Sequence, residues 1–137
     1  MNLKKAPIHV HHITSHFTSA MFPAASLMLT MHALGASERF EAAAYYCIVF
    51  ATFAAPMVYA SGAYDWRTRF QARHTTIFDH KLVVGVALVL FSAGLVAIRT
   101  LWPESVAAGN GFAAYLLAVY LATAMAVYLG HLGSKFI

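Results

Sequence analysis

Four long stretches of the chain contain no charged side chain, and this pattern constrains the fold more than any other feature of the sequence. Residues 6–37, 42–64, 82–98 and 105–134 contain no Asp, Glu, Lys or Arg. A helix needs roughly 17–25 apolar residues to cross a bilayer. Only 10% of the 137 residues are charged and 61% are hydrophobic, whereas about 25% of the residues in a soluble domain are charged. The sequence therefore predicts a single membrane domain over residues 1–137.

Gly, Pro and polar residues between these stretches predict where the helices begin and end. We expect four helices, over about residues 13–34, 39–63, 78–101 and 112–132. Pro23 and Pro56 predict kinks inside the first and second helices. Short connections make successive helices run in opposite directions. The predicted fold is thus all-α, an integral membrane four-helix up-down bundle.

The distribution of basic residues predicts the orientation of this bundle. The net charge is +4, and seven Lys and Arg side chains fall on one side of a four-pass arrangement: Lys4, Lys5, Arg67, Arg69, Arg73, Lys81 and Lys135. Only Arg39 and Arg99 fall on the other side. Because Lys and Arg are retained on the cytoplasmic side during insertion, we expect both termini and the middle loop to be cytoplasmic. The lipid bilayer, with its anionic headgroups, explains this basic excess better than nucleic acid does.

Eight histidines make this composition unusual, and most of them fall at one end of the predicted bundle. His16 opens the first helix, His80 opens the third and His131 closes the fourth, so all three reach the cytoplasmic end. His9, His11, His12 and His74 lie on the same side, and His32 alone lies at the far end. A histidine near a membrane segment is a functional-site hypothesis by default.

Three interpretations of these histidines compete. Imidazoles from two helices can hold a haem iron, since a four-helix interior is a common place for such a site. The same imidazoles with Asp79 can hold a bare metal ion. They can also be interfacial side chains bonded to water or backbone. The single cysteine, Cys47, excludes a Cys-based metal cluster, and Asp79 is the only carboxylate expected nearby. Haem is therefore preferred.

The predicted bundle also suggests which histidines are haem ligands. The first and third helices of an up-down bundle can lie diagonally across the core, which favours His16 and His80 as the axial pair. His131 and His11 come next, as ligands of a second haem, as replacements for one of the pair, or as partners that orient a ligand. The haem pocket is expected to be lined by Phe17, Phe78, Leu82 and Tyr128.

Several short motifs resemble a bacterial family of small four-helix membrane domains of unknown function. The segment His9-Val10-His11-His12-Ile13-Thr14-Ser15-His16-Phe17 is similar to the HxHPxxxHFP opening of that family. Gly62-Ala63-Tyr64-Asp65-Trp66, His80-Lys81-Leu82 and Gly130-His131-Leu132-Gly133-Ser134 continue the resemblance in order, the last being similar to a GHLGG ending. Three residues depart from the pattern: His12 and Thr18 replace prolines, and Ser134 replaces a glycine.

The resemblance implies that His11, His16, His80 and His131 are the family's histidines. Some members are joined to Rieske or cytochrome c modules, which implies b-type haem and electron transfer. The sequence thus predicts a bacterial inner-membrane, multi-pass protein that holds one or two haem b groups. It favours an electron-transfer protein over an enzyme with its own substrate, with quinone, a partner redox protein or a second copy of the chain as candidate partners.

Two other functions stay open from the sequence. One is a histidine-based metal-binding or metal-transport protein. The other is an accessory subunit of a membrane complex without a cofactor, in which stripes of small residues recognise partner helices. The stripes consist of Ala114, Ala118, Ala122, Ala126 and Gly130 on the fourth helix, and of Ala43, Cys47, Ala51 and Ala55 on the second.

Overall fold

Four long helices make up most of the protein in a computed structural model. It describes residues 6–135, with side chains from residue 11 onward. The helices are α1 (Ala6–Ala33), α2 (Glu38–Arg69), α3 (Thr76–Leu101) and α4 (Gly109–Ser134), and a short 3₁₀ turn, Pro103–Val106, precedes α4. Residues 6–135 contain no β-strand. The predicted all-α fold is confirmed for this part of the chain.

Three of the helices are long and apolar enough to cross a membrane, namely α2, α3 and α4. Within the described residues α1 does not reach the same mean hydropathy, because it carries five of the eight histidines together with several Ser and Thr side chains. The three spans indicate a multi-pass membrane protein. Lys4 and Lys5, which contribute to the orientation prediction, lie outside the described residues.

The helices are arranged as a ring of four. α1 packs against α2 and α4, and α3 packs against the same two neighbours. Across residues 6–135, α1 has no contact with α3, and α2 has none with α4, so each of these pairs is diagonal. The predicted four-helix bundle is therefore present, with the first and third helices on opposite corners.

Small side chains let the helices approach closely at the centre of the bundle. Ala44, Ala51 and Ala122 are fully buried, and Phe22 and Leu29 of α1 fill the space beside them. Helices in lipid gain little from the hydrophobic effect against each other, so such close contact supplies much of their attraction. Two members of each predicted small-residue stripe are buried, Ala51 and Ala55 on α2 and Ala122 and Ala126 on α4, whereas Ala114 and Gly130 at the two ends of the α4 stripe are exposed.

The helix ends agree with the sequence prediction at the first turn and differ at the second. Gly35 has a φ of +94° and Ser37 caps α2, so the first turn is where glycine and serine predicted it. The expected end of the second helix near Ala63 is wrong, because α2 continues to Arg69. The polar loop is therefore only residues 70–75.

Non-glycine residues in the left-handed region shape this second loop. Gln71 and Ala72 have φ values of 53° and 52°. The Ala72 amide donates to the Trp66 carbonyl over 3.0 Å, and Trp66 Nε1 donates to the Arg73 carbonyl over 2.8 Å. The left-handed conformation costs a non-glycine residue about 1–2 kcal/mol. The hydrogen bonds to the last turn of α2 stabilise the loop in this conformation.

Gly111 in the first turn of α4 is tightly confined. A Cβ atom added there would clash with the backbone carbonyl oxygen of Ser105, which cannot move as freely as a side chain. We expect Gly111→Ala to lower the free energy of unfolding by about 1–3 kcal/mol, the range of an overpacked site. Gly94→Ala is the matched control, because a Cβ there meets no atom within 4 Å. Unfolding in mixed micelles measures both, and equal effects would contradict the confinement of Gly111.

Candidate functional site

Two hydrogen bonds between helices show that the histidine-bearing helix ends meet. His11 Nδ1 lies 3.0 Å from Ser61 Oγ, which joins the N-terminal part of α1 to the C-terminal part of α2. His80 Nδ1 lies 3.0 Å from Tyr128 Oη, which joins the start of α3 to the end of α4. The six-residue loop links α2 to α3 at this same end. We call it the histidine end of the bundle.

Polar contacts between α1 and α4 set the relative depth of two predicted ligands. Ser26 Oγ lies 2.6 Å from Thr123 Oγ1, and one turn further along, the Thr30 hydroxyl bonds to Tyr120. These contacts define an antiparallel register that places His131 nearly level with Thr18. At a rise of 1.5 Å per residue, His16 and His131 differ in depth by only about 3–5 Å.

The remaining two predicted ligands lie close to this level. Tyr128, the partner of His80, precedes His131 by three residues, or about 4.5 Å along α4. His11 precedes His16 by five residues, so it lies about 7.5 Å nearer the end of the bundle. On the same register Tyr128 is level with residues 21–22 of α1, so His16 and His80 differ in depth by about 8 Å, with His131 between them. We call His16, His80 and His131 the histidine band.

His11 differs from the other three predicted ligands in how much of its side chain is exposed. The side chains of His16, His80 and His131 are exposed, whereas His11 is half-buried. Helix rotation causes the difference, because buried Thr18 and Phe22 mark the face of α1 that points into the bundle and His16 lies on the opposite face. The band therefore surrounds the bundle at this level, and His11 reaches its interior.

Three of the side chains expected to line a haem pocket contact three different partners. Tyr128 bonds to His80. The Phe17 ring packs on Phe50 of α2, with centroids 6.1 Å apart, and Phe17 is 46% exposed. The Phe78 ring packs on Phe70 in the loop, with centroids 5.0 Å apart. Tyr128 of the expected lining is thus hydrogen-bonded to a predicted ligand.

A buried polar cluster beside His11 was missed by the sequence analysis. Asp65 is only 9% exposed, and its Oδ1 has no hydrogen-bond partner among the described residues. The Asp65 charge interacts with both His11 and Lys81. A Cβ added to Gly62 would lie 3.1 Å from the His11 ring. Asp65 on α2 thus lies within electrostatic reach of His11 on α1 and Lys81 on α3. The sequence gives no sign of this burial, because Asp65 follows the expected end of the second helix near Ala63.

The metal-ion interpretation requires Asp79 beside the predicted histidine ligands, but Asp79 bonds to His74. His74 Nδ1 lies 3.0 Å from Asp79 Oδ1, and both side chains are exposed. The edge of the Trp66 ring covers His74, with centroids 5.3 Å apart. Among the described residues, no three His, Cys, Asp or Glu side chains are grouped so as to hold a metal ion.

The far end of the bundle contains one histidine and one strong ion pair. His32 lies against the Phe112 ring, with centroids 5.6 Å apart, and it is about 24 Å from His16 along α1. Arg99 Nε and Nη2 donate to the two carboxylate oxygens of Glu41 over 2.5 and 2.9 Å. The ion pair links α2 to α3 at this end of the bundle. His32 lies at the same end, away from the histidine band.

Comparisons with protein-family models, with curated proteins and with solved structures found no match to this chain. The chain's own residues are therefore the evidence on its function. Four features of the histidine end bear on it: the three-histidine band, half-buried His11, the bond between His80 and Tyr128, and the buried Asp65.

Proposed function

We propose that this chain is a membrane b-type cytochrome-like electron-transfer protein, an up-down four-helix bundle that holds haem b through histidines at one end. The observation that carries the proposal is the band formed by His16, His80 and His131, three imidazoles from three helices within about 8 Å of depth at one end of the bundle. Imidazole from two separate helices is the usual axial ligand set of a b-type haem in a helical bundle. Haem b supplies a one-electron carrier.

The arrangement of the four helices limits which histidines could form a ligand pair. His16 and His80, the axial pair that the sequence favoured, are exposed on the diagonal helices α1 and α3, so within one chain they face away from each other and would share one iron only across two copies. His131 stands on α4, which packs against both of these helices. It is the natural second partner of either histidine. His11 is half-buried and bonded to Ser61, so we assign it a supporting role or a place in a second site.

The hydrogen bond of His80 favours its use as a ligand. A ligating histidine usually donates its other ring N–H to a nearby oxygen, which fixes the tautomer and the ring orientation. With Nδ1–H donating to Tyr128 Oη, the lone pair of His80 is on Nε2, on the other side of the ring. Tyr128 would thus hold His80 in the form that binds iron.

Exposure of the band supports a haem at the surface of the bundle rather than inside it. Alanine packing leaves the interior close-packed, whereas apolar Phe17 and Val127, next to His16 and one turn from His131, lie exposed on the outside of α1 and α4. The apolar macrocycle would contact lipid or the same face of a second copy. The band lies at one end, so electrons would be exchanged at one membrane face, with quinone or a partner redox protein.

Haem content tests this proposal. The protein should be expressed with ample haem precursor, purified in detergent, and its non-covalent haem extracted and measured per chain. We expect at least one haem b per chain. A chain that is folded, as judged by its helical circular dichroism, and that contains no haem would contradict the proposal. Zinc, copper or iron bound in place of haem would favour the metal-binding alternative.

The orientation of the proposed bundle gives a separate prediction. Both termini and the loop of residues 70–75 should be cytoplasmic, in the bacterial inner membrane, because basic residues flank that side. In a Cys47→Ala background, a cysteine at Asn110 should react with an impermeant thiol reagent in intact spheroplasts. A cysteine at Asn2, which lies outside the described residues, should react only after lysis. The reverse pattern would put the histidine end on the periplasmic face.

A further inference from the structure

A basic cleft lies between the end of α2 and the start of α3. Its volume is about 390 Å³, and it is lined by Arg69, Phe70, Gln71, Arg73, Thr75 and Phe78. Two of these six side chains are cationic and none is acidic. The cleft lies at the membrane surface, because it occupies the loop between two helices that can each span the bilayer.

The polar part of the cleft has the chemistry of a phosphate site. A guanidinium group has five N–H donors, so Arg69 can face the Asp65 carboxylate 3.7 Å away and a second anion at the same time. Arg73 is exposed in the loop and lines the same cleft. Helix α3 begins at Thr76, capped by Thr75, and Asp79 in its first turn offsets the positive end of the helix dipole, so the two arginines supply the positive charge of the cleft.

The apolar part of the cleft indicates that the anion has an apolar tail. The Phe70 and Phe78 rings pack together with centroids 5.0 Å apart, and the Trp66 ring lies 6.5 Å from Phe78. Trp66 Nε1 donates to the Arg73 carbonyl, so the indole ties Arg73 to this aromatic group. Tryptophan prefers the headgroup region of a bilayer.

We propose that this cleft binds an anionic phospholipid, with the headgroup phosphate between Arg69 and Arg73 and the glycerol and first acyl carbons against Phe70 and Phe78. Free phosphate would use the two arginines and leave the aromatic wall without a contact. No cleft residue is a predicted haem ligand, although Phe78 was also expected to line the haem pocket. The α2–α3 loop would then bind one class of lipid specifically, rather than being attracted to the membrane surface in general.

Quenching of Trp66 by brominated lipid tests the proposal. The chain has two tryptophans, so a Trp102→Phe background leaves Trp66 as the only reporter. The protein is placed in nanodiscs of phosphatidylcholine with an increasing fraction of phosphatidylglycerol. Fluorescence is compared with bromine on one lipid or the other at the same cofactor content, because bound haem also quenches tryptophan. We expect brominated phosphatidylglycerol to quench Trp66 at a much lower mole fraction than brominated phosphatidylcholine.

Matched variants separate a site from general charge attraction. General attraction to an anionic surface gives roughly fivefold per basic residue, so Arg67→Gln with Lys135→Gln, on the same predicted face but outside the cleft lining, should lower the preference for phosphatidylglycerol by at most roughly 25-fold. A hydrogen bond to a phosphate adds roughly tenfold or more per arginine, so Arg69→Gln with Arg73→Gln should lower the preference at least roughly tenfold further than the control pair does. Exposed Arg73→Gln alone should exceed Arg67→Gln alone by roughly tenfold, which keeps the test valid if the double variant misfolds.

Three outcomes would overturn the proposal. Equal losses in the cleft pair and the control pair would show general surface attraction. Equal quenching by both brominated lipids would show no headgroup preference. If excess inorganic phosphate removed the preference for brominated phosphatidylglycerol, the cleft would be a site for free phosphate rather than for lipid.

Discussion

Protein carrying His16→Ala or His80→Ala should purify with at least one haem fewer per chain than the unaltered protein. An iron that loses one of two imidazole ligands loses most of the binding energy that holds the haem. Both side chains are exposed, so the substitutions leave the buried helix contacts in place, and surface changes of this kind usually alter stability by less than about 0.5 kcal/mol. Extracted haem per chain and helical circular dichroism are measured on the same sample.

His32→Ala is the matched control for this experiment. It removes a histidine from the same helix as His16, but about 24 Å away at the far end of the bundle. Its haem content should equal that of the unaltered protein. Adding imidazole during expression should restore haem to His16→Gly, since free imidazole can take the vacated position. If haem is lost with His131→Ala and kept with His80→Ala, the axial pair is His16 and His131. Full haem content in all three band variants would show that the band is not the site.

Glu41→Gln should be the most destabilising single change at the far end of the bundle, at about 2–3 kcal/mol. The Glu41 and Arg99 side chains are only 21% and 24% exposed, and the two bonds between them are bidentate. Removing one partner leaves a largely desolvated charge, which costs about 3–5 kcal/mol at a fully buried site and less here. Arg99 also lies over the Tyr45 ring, 5.0 Å from its centroid, and this contact would remain.

A double-mutant cycle isolates the ion pair. Arg99→Met alone and Glu41→Gln alone should each be destabilising, while the double variant should be clearly less destabilised than the sum of the two. Glu38→Gln is the control, because Glu38 lies one turn earlier on α2, is exposed, and makes no ion pair within the described part of the chain. Additive effects in the cycle would mean that the pair contributes nothing to the free energy of unfolding.

Local chemistry predicted the bundle, and long-range contacts decided where one of its helices ends. The turn at Gly35 and Ser37 is visible in the sequence, because glycine favours positive φ and serine caps helices. Ser61 and Gly62 suggested an equally clear end to the second helix. They continue the helix instead, because Ser61 bonds to the His11 ring and Gly62 provides the space beside it. His11 is too distant in sequence for a local pattern to reveal this contact.

The sequence predicts at which end of the bundle the histidines lie, but not which way their side chains face. Alternating helix directions place the band of His16, His80 and His131 at one end, and the polar contacts between neighbouring helices agree with this. Which face each histidine occupies depends on the rotation of its helix, and rotation is set by packing of residues such as Thr18 and Phe22. The predicted helices therefore could not show that the band faces outward, or that Asp65 lies buried beside His11 and Lys81.

The optical absorption spectrum of the detergent-purified protein, first oxidised and then reduced, tests the central claim most directly. Two axial imidazoles make haem iron low-spin in both oxidation states. The account predicts a Soret band that shifts on reduction, with sharp α and β bands that weaken in His16→Ala and His80→Ala and stay unchanged in His32→Ala. A folded protein without a Soret band, or one with a high-spin spectrum that none of the band variants alters, would contradict it.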